Sequence, residues 1–313
     1  MTSRTAAASF ALSTHAKEDP AVPIPVPDAL AAYYAKQSPE HLPWLRALPT
    51  LADTMLERWS LKVDGPARHG MVALVIPVVR PDRTPAVLKL QPRDEENDGE
   101  PLALRHWSGN AAVHLLDHDE LTGAMLLERL DASRPLSAIP ASEGIAVIAD
   151  LLSHLHVPAP PGIRTLTDIA TAMLTERPLL NRLTNPTERT LATTCADATA
   201  AAISEPGNRL LHWDLHYDNV LASSRTPWLA IDPKPISGHP AFDLMPALDN
   251  AYLTPTALLH RFDHLTESLS LDRPTAVAWT LARTLQNTLW SLHDGETTLD
   301  PIQAAIASTL LSR

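Results

Sequence analysis

The sequence predicts an α+β protein with two unequal lobes, a smaller one built on an antiparallel sheet and a larger one that is mainly helical. Short apolar runs typical of strands, such as residues 72–79, are concentrated in the first half of the chain. One helical pattern, which ends at Gly109, interrupts these runs. After Asp131 the apolar residues recur mostly at helical spacing. The two lobes are therefore predicted over residues 28–130 and 131–313.

The composition is that of a folded globular protein with an acidic surface. Of the 313 residues, 45% are hydrophobic, which is enough to bury a large core. The formal net charge is -11, which disfavours nonspecific binding to nucleic acid or to anionic membranes because both are negatively charged. We therefore expect no nucleic-acid or membrane partner, and the charge favours a small cationic one.

The composition also bears on the cellular compartment. The single cysteine, Cys195, has no second cysteine with which to form an internal disulfide. No stretch approaches the run of about 18 apolar residues that a membrane span needs. The short apolar run near the N-terminus is broken by serine, threonine and histidine, which disfavours a secretory signal. We expect a cytoplasmic monomer in which residues 1–27 form a flexible, proline-rich extension.

The elements of the smaller lobe follow from its spacing and turn residues. Residues 28–60 have helical spacing and predict two or three helices, with breaks near Ser38 and Pro49. The stretch LKVDGPARHGMVALVIPVVR then predicts a strand, a loop that carries Gly65 and Gly70, and a second strand, and PAVLKL predicts a third. RDEENDGEPLALRHWSG predicts a helix with an acidic start, and AAVHLLDHDELTGAMLLERL predicts two more strands around a turn.

The larger lobe is predicted to contain helices over residues 142–156, 166–183 and 187–203, and several more after residue 256. Residues 210–235 are the exception within this lobe. There, the stretches NVLAS and WLAID predict a short β-hairpin.

This exceptional stretch, LLHWDLHYDNVLASSRTPWLAIDPKP, also carries the clearest chemical signal. It contains the pattern H-x-D-x-x-x-x-N, formed by His212, Asp214 and Asn219, and a later aspartate, Asp232. Kinases use such an Asp to accept the proton of the substrate hydroxyl, and use the Asn and the later Asp to bind magnesium at the phosphates. A hairpin between Asn219 and Asp232 would turn the chain back, so that the carboxylate of Asp232 faces the same metal as Asn219. The alternative is that these side chains only cap turns and end a strand.

A lysine in the predicted sheet supports the chemical interpretation. Lys89 lies in the strand AVLKL, where a buried ammonium is costly without an anionic partner, and phosphoryl transfer needs a cation at the nucleotide phosphates. The following helix offers a glutamate to pair with this lysine, with Glu100 preferred over Glu96. Backbone amides of the loop around Gly70 are candidates to cover the phosphates, although this loop is equally consistent with a plain hairpin turn.

The chain resembles the aminoglycoside phosphotransferase family, within its streptomycin and hydroxyurea phosphotransferase branch. The resemblance rests on LHWDLHYDNVL and WLAIDPKPISGHPAFDLMPALD, with AVLKLQ and MLLERLD upstream and ARTLQNTLW downstream. It implies a bilobal protein-kinase-like fold and ATP-dependent phosphorylation with Mg²⁺. The chain departs from protein kinases in having Ile-Asp-Pro around the later aspartate and no activation segment that ends in Ala-Pro-Glu. A small-molecule acceptor therefore fits better than a protein.

The resemblance assigns a role to each motif residue. Asp214 is implied as the catalytic base and His212 as a scaffold of the catalytic loop. It also implies Asn219 and Asp232 as magnesium ligands and Lys89 as the phosphate contact. The segment from Glu128 through Leu130 to Asp131 is implied as the hinge that binds the adenine, and Asp243 as a carboxylate that holds the catalytic loop.

The acceptor is harder to predict from the sequence. The resemblance implies streptomycin, phosphorylated at a ring hydroxyl, as the acceptor. Streptomycin carries guanidinium groups, which carboxylates bind in bidentate geometry. Candidate carboxylates in the larger lobe are Asp249, Glu267, and Asp294 or Glu296, and Trp290 is either a floor of the pocket or a core residue. Two alternatives stay open: a kinase for another small acceptor, such as hydroxyurea or a metabolite, and a non-catalytic nucleotide-binding module.

Overall fold

Alternating apolar residues place one face of the N-terminal sheet in a hydrophobic core. In the strand Leu74–Val79, the side chains of Leu74, Ile76 and Val78 are buried and those between them are more exposed. The computed structural model, which describes residues 24–313, contains six strands in this sheet. They are β1 (Lys62–Val63), β2 (Arg68–His69), β3 (Leu74–Val79), β4 (Pro85–Leu90), β5 (Leu115–His118) and β6 (Met125–Glu128).

The strand order is β1-β3-β4-β6-β5, with β2 paired to β3, and every pairing is antiparallel. Lys89 of β4 lies opposite Val75 and Met125 in the two neighbouring strands, which places the lysine in the middle of the sheet. The antiparallel sheet predicted for this lobe is confirmed, and so is the α+β, bilobal fold class.

Three helices accompany the sheet: α1 (Asp28–Gln37), α2 (Leu42–Arg58) and α3 (Glu100–Trp107). The predicted break near Ser38 is confirmed, but the break at Pro49 is wrong because α2 continues through this proline. Pro49 removes one backbone hydrogen bond. Burial of Leu48, Ala52 and Met55 on the inner face of α2 offsets this loss.

The helix α3 is shorter than predicted because the acidic segment before it forms turns. The Asp94 side chain accepts hydrogen bonds from the backbone N–H groups of Glu96 and Asn97, at 2.8 and 2.9 Å. Such local bonds compete with helix formation. As a result, the helix begins only at Glu100.

The larger lobe is mainly helical, as predicted. Its helices are α4 (Ala141–Leu155), α5 (Leu166–Thr175), α6 (Pro186–Ala202), α7 (Met245–Asp249), α8 (Pro255–Ser268), α9 (Arg273–His293) and α10 (Pro301–Leu311). The long helix α9 packs against α5, α6 and α10 and has twelve buried residues. The single helix predicted over residues 166–183 is wrong in its second half, where a 3₁₀ helix, Arg177–Arg182, begins one residue before Pro178.

Short strands complete the larger lobe: β7 (Asp131–Pro135), β8 (Arg209–Leu211), β9 (Val220–Ala222), β10 (Trp228–Ala230) and β11 (Ile236–Gly238). The predicted hairpin is confirmed as β9 and β10. β7 adds a third strand to this hairpin, and β8 pairs with β11. The sequence did not predict β7, because its residues, DASRP, are polar and mostly exposed.

The buried apolar side chains form two clusters. The smaller cluster lies between the N-terminal sheet and the helices α1 and α2, and it includes Ile24, one of the last residues of the predicted N-terminal extension. Residues 1–23 of that extension lie outside the described residues. The larger cluster fills the helical lobe and also takes in Trp107 of α3 and Leu127 of β6. Within residues 24–313, no helix is both long enough and apolar enough to cross a membrane.

Gly207, between α6 and β8, gives a test of the packing beneath the catalytic loop. Its φ is +71°, and a Cβ added there would lie 2.7 Å from the backbone oxygen of Gly238. We expect Gly207→Ala to lower the free energy of unfolding by about 3 kcal/mol in urea denaturation. Gly295 has φ +93° but no atom within 4 Å of an added Cβ, so Gly295→Ala should lose only about 1 kcal/mol through backbone strain. Equal losses in the two variants would contradict the steric explanation.

Candidate active site

The predicted catalytic loop leaves β8 in a constrained backbone conformation. Trp213 has φ +67°, a region that bulky residues rarely adopt. This conformation is held by the buried Asp243, whose carboxylate accepts hydrogen bonds from the backbone N–H groups of His212, at 2.9 Å, and Trp213, at 2.5 Å. His156 Nε2 also donates to Asp243, at 3.0 Å. The hydrogen bonds predicted between Asp243 and the catalytic loop are therefore present.

His212 is a fully buried side chain that supports the loop from inside. Its Nε2 donates to the carbonyl of Ile231 at 3.0 Å, and its Nδ1 accepts from the backbone N–H of Asp214 at 3.4 Å. Burial lowers the pKa of His212, which favours the neutral ring that this pair of bonds requires. The geometry supports the scaffold role predicted for His212.

The β9–β10 hairpin brings Asn219 next to Asp232. Val220 pairs with Ala230 in the hairpin, and one residue further along, the N–H of Ile231 donates to the carbonyl of Asn219 at 2.9 Å. The Asn219 side chain donates through Nδ2 to the carbonyl of Asp214 at 2.9 Å, which ties it to the catalytic loop. Asn219 therefore lies next to Asp214 in the catalytic loop and beside the end of β10 that leads to Asp232.

Lys89 joins this group from the N-terminal lobe. Its Nζ donates to both carboxylate oxygens of Glu100, each at 2.8 Å, and to Oδ1 of Asp232 at 2.5 Å. Gln91 donates to the same glutamate at 2.9 Å. Between the two glutamates considered for Lys89, the structure selects Glu100, because Glu96 lies in the turn before α3.

The charges of Lys89 and Asp232 support each other, whereas burial outweighs Lys89 at Glu100 and raises the pKa of that carboxyl. Burial acts to lower the pKa of Lys89, but the carboxylates of Asp232 and Glu100 outweigh it and keep this pKa above its ordinary value. Burial likewise acts to raise the pKa of Asp232, but Lys89 and Lys234 outweigh it and hold this pKa well below its usual range. At neutral pH, Lys89 is therefore a cation and Asp232 an anion.

The residues present fit a magnesium ion. Asn219 directs its Nδ2 to Asp214, so its Oδ1 is the end of the amide left to bind a cation, and about a third of the Asp232 side chain, 35%, is exposed in the cleft. Magnesium prefers oxygen ligands and commonly takes one or two from protein side chains, with the rest from phosphates and water. The described residues contain no cluster of three or more metal-binding side chains.

Two acidic cavities are lined by residues of the catalytic loop. The first, which we call the base cavity, has a volume of about 580 Å³ and is lined by Asp214, Asp249, Arg283, Asn287 and Asp300, among others. The second, the tryptophan cavity, has a volume of about 810 Å³ and is lined by Trp213, Trp290, Glu96, Asp168 and Glu176, among others. Both cavities therefore offer carboxylates beside aromatic or amide groups, which suits a cationic ligand with hydroxyls.

The structure separates the carboxylates predicted to bind the acceptor. Asp249 lies in the base cavity with Asp214, and its carboxylate accepts a hydrogen bond from Gln303 at 3.2 Å. Glu267 is exposed near the end of α8, and Asp294 is exposed just after α9. Neither of these two lines the base cavity or the tryptophan cavity. Trp290 lines the tryptophan cavity and is 40% exposed, so it is not a core residue.

The remaining predicted nucleotide contacts lie around the sheet. Leu74 pairs with Leu90, so the turn that contains Gly70 lies at the same end of the sheet as Lys89. The Glu128 side chain is bound by Arg225 at 2.9 and 3.1 Å. Gly70 and the hinge segment that contains Glu128 and Leu130 remain predictions as nucleotide contacts.

Sequence reasoning missed two arginines near the site. Arg225 binds both Glu128 and the carbonyl of Ala112, which ties the β9–β10 hairpin to the N-terminal lobe. Arg283 contacts the catalytic loop from α9. A signal for Arg283 existed, because it lies on the same helical stripe as the aromatic Trp279 and Trp290, where a charged residue is unexpected.

Comparison with known sequences assigns the chain to a family. A family model described as aminoglycoside/hydroxyurea antibiotic resistance kinase matches residues 58–295. The chain belongs to this family. Streptomycin 6-kinase of Streptomyces griseus is 49% identical over 298 residues, which cover 92% of this chain and 97% of that protein. Hydroxyurea phosphotransferase of Kitasatospora aureofaciens is 50% identical over 275 residues, which cover 86% of this chain and 81% of that protein.

As a member of the aminoglycoside/hydroxyurea antibiotic resistance kinases, the protein is a phosphotransferase, and the family predicted from its motifs is confirmed. Solved structures agree on the fold. The aminoglycoside phosphotransferase APH(4)-Ia matches with a TM-score of 0.59 at 15% identity, over 83% of this chain and 98% of that chain. A putative fructosamine-3-kinase from Thermobifida fusca matches with a TM-score of 0.57 at 20% identity, over 84% and 98%.

Proposed function

We propose that the protein transfers the γ-phosphoryl group of ATP to a hydroxyl of streptomycin, the 6-hydroxyl by its likeness to the streptomycin 6-kinases. The observation that carries the proposal is the convergence of Asp214, Asn219, Asp232 and Lys89 in one cleft next to an acidic cavity. We propose a cytoplasmic monomer, which agrees with a single cysteine that is buried and unpaired within the described residues.

Each side chain has a step to perform. Asp214, at the wall of the base cavity, would orient the acceptor hydroxyl and accept its proton as the oxygen attacks the γ-phosphorus, while the bond from the γ-phosphorus to the β-phosphate oxygen breaks and ADP leaves. Lys89 would bind the phosphates and neutralise charge that develops on them. Asn219 and Asp232 would hold magnesium, which when bound would lower the charge repulsion between the phosphates and the attacking oxygen. Most of the rate enhancement would come from positioning and electrostatics.

The base cavity is our proposed acceptor site because it contains the base. Burial and the nearby Asp300 raise the pKa of Asp249. A guanidinium group between Asp249 and Asp300 would relieve this repulsion and form charge-assisted hydrogen bonds. The rest of a large acceptor can extend past Trp213 into the tryptophan cavity, whose carboxylates also favour cations. Glu267 and Asp294 are not part of this proposed site.

A second candidate acceptor is hydroxyurea, because the hydroxyurea phosphotransferase is as similar to this chain as the streptomycin 6-kinases are. Hydroxyurea is small and uncharged, so it would use neither the acidic lining nor the volume of the two cavities. A non-catalytic module is disfavoured, because all four residues that phosphoryl transfer needs are in place.

The proposed function is tested by measuring ADP release in a coupled assay with magnesium and ATP, with streptomycin, kanamycin and hydroxyurea as separate acceptors. We expect release that depends on streptomycin and is absent with kanamycin, which lacks guanidinium groups. Mass spectrometry of the product should show one added phosphoryl group. Release with hydroxyurea alone would replace streptomycin as the acceptor, and release with none of the three would contradict both assignments.

A further inference from the structure

Arg283 is a buried cation in the middle of α9 with an unusual set of neighbours. It is 7% exposed, and its guanidinium carbon lies 5.0 Å from the ring centroid of Trp213, 5.3 Å from that of Trp290 and 5.7 Å from that of Phe242. Within residues 24–313, it forms no ion pair with a carboxylate. Instead, its Nη1 donates to Gln286 and its Nη2 donates to the carbonyl of Trp213 at 3.3 Å.

Burying a guanidinium without a carboxylate partner lowers stability, because the charge loses its hydration. The effect is visible in the pKa of Arg283, which burial lowers to about 10. The side chain is still charged at neutral pH. Stacking of the guanidinium on the aromatic rings replaces part of the favourable interaction that the charge would have with water.

The contact with Trp213 is the one that concerns catalysis. Trp213 has φ +67° and immediately precedes Asp214. Its N–H is bound by Asp243 and its carbonyl by Arg283, so the peptide groups on both sides of its Cα are fixed by buried charges. Since the second of these peptide groups leads directly into Asp214, its orientation determines where the Asp214 side chain points.

We propose that Arg283 is a positioning residue that holds the catalytic loop in its left-handed conformation at Trp213 and thereby aims Asp214 into the base cavity. The inference rests on the proposed function, in which Asp214 is the base. Arg283 also lines the base cavity, but its Nη1 and Nη2 are bound to protein groups and its Nε is fully buried with no hydrogen-bond partner within the described residues, so we assign it a positioning role and not a catalytic one.

The chain offers a matched control in Arg273, at the start of the same helix. Arg273 also stacks on an aromatic ring, Phe262, at 5.3 Å, and also has a buried nitrogen without a partner within the described residues. It pairs with Asp263 and does not contact the catalytic loop. Arg283→Met and Arg273→Met thus each remove an arginine side chain from α9. Only the first of these arginines contacts the catalytic loop.

We expect Arg283→Met to lower kcat by about 10- to 100-fold while the KM for ATP changes by less than about twofold, because small displacements of a catalytic group have effects of this size. Arg283→Lys keeps the charge but not the fork of donors, so its kcat should lie between those of Arg283→Met and the wild type. Arg273→Met should retain the wild-type kcat. Rates are normalised to the folded fraction, which separates lost positioning from lost stability.

Hydrogen exchange gives a readout that needs no acceptor. In Arg283→Met, the amides of residues 210–219 should exchange faster, whereas in Arg273→Met they should exchange as in the wild type. A wild-type kcat per folded molecule in Arg283→Met, or unchanged exchange in residues 210–219, would overturn the proposal. A failure of the proposed function can be told apart from a failure of this inference. In the first case, the wild-type protein itself would show no acceptor-dependent ADP release.

Discussion

Replacing Asp214 by alanine is expected to lower kcat by about 10²- to 10⁴-fold, the range that a general base contributes. The carboxylate lines the base cavity, and the loop that carries it is held in place by Asp243 and His212. A water molecule in place of this positioned carboxylate would be a poor base. Nucleotide affinity should change little, because in the proposed function Lys89 and magnesium, and not Asp214, bind the phosphates. The measurements are acceptor-dependent ADP release and calorimetric titration with magnesium and ATP.

Asp218 is a suitable control for this variant. It follows Asp214 by four residues in the same loop, and it is exposed. Asp218→Ala should therefore retain kcat within about threefold, since surface substitutions have small effects. If Asp214→Ala turned over like the wild type, Asp214 would not be the base.

Replacing Lys89 by methionine should have the second-largest effect. The variant loses the cation that we propose as the phosphate contact, and kcat/KM for ATP should fall by about 10³-fold, close to the effect of other groups that stabilise transition-state charge. It should also unfold more easily, by about 3–5 kcal/mol, because the buried carboxylates of Glu100 and Asp232 lose their shared counterion. Steady-state kinetics and urea denaturation measure the two effects separately.

Lys62→Met is the matched control for Lys89→Met, since Lys62 is an exposed lysine in the same sheet. It should leave both kinetics and stability close to those of the wild type. A Lys89→Met protein that was destabilised but kept its kcat/KM for ATP would show that Lys89 serves the structure only.

Much of the catalytic centre could be predicted from the sequence, because its chemistry is compressed into short segments. Asp214 and Asn219 are held by one loop, and Asp232 follows after a hairpin whose strands are apparent from their apolar residues. For the partner of Lys89, the sequence favoured Glu100 over Glu96 but did not exclude Glu96. Whether the helix included Glu96 depended on Asp94 and Asn97, whose side chains turn the backbone before Glu100.

The acceptor site could not be predicted in the same way. Asp249, Glu267 and Asp294 look alike in the sequence, as carboxylates at or near helix ends. What distinguishes Asp249 is that α7, α9 and α10 pack together around it and enclose a cavity shared with Asp214. Glu267 and Asp294 lie on the exposed surface instead. Which of the three carboxylates lines a cavity depends on contacts between residues far apart in the chain.

The sequence by itself therefore determined the fold class and the family, and it singled out the four residues of the proposed phosphoryl-transfer centre, because hydrophobic periodicity and motif spacing are local properties of the chain. Only the tertiary structure decided that Glu100 pairs with Lys89, that Asp249 faces the base, and that Arg283 reaches Trp213 from a helix 70 residues further along the chain. Each of these depends on how separate elements pack, and packing between distant segments is set by the shape and burial of the whole core rather than by any local pattern.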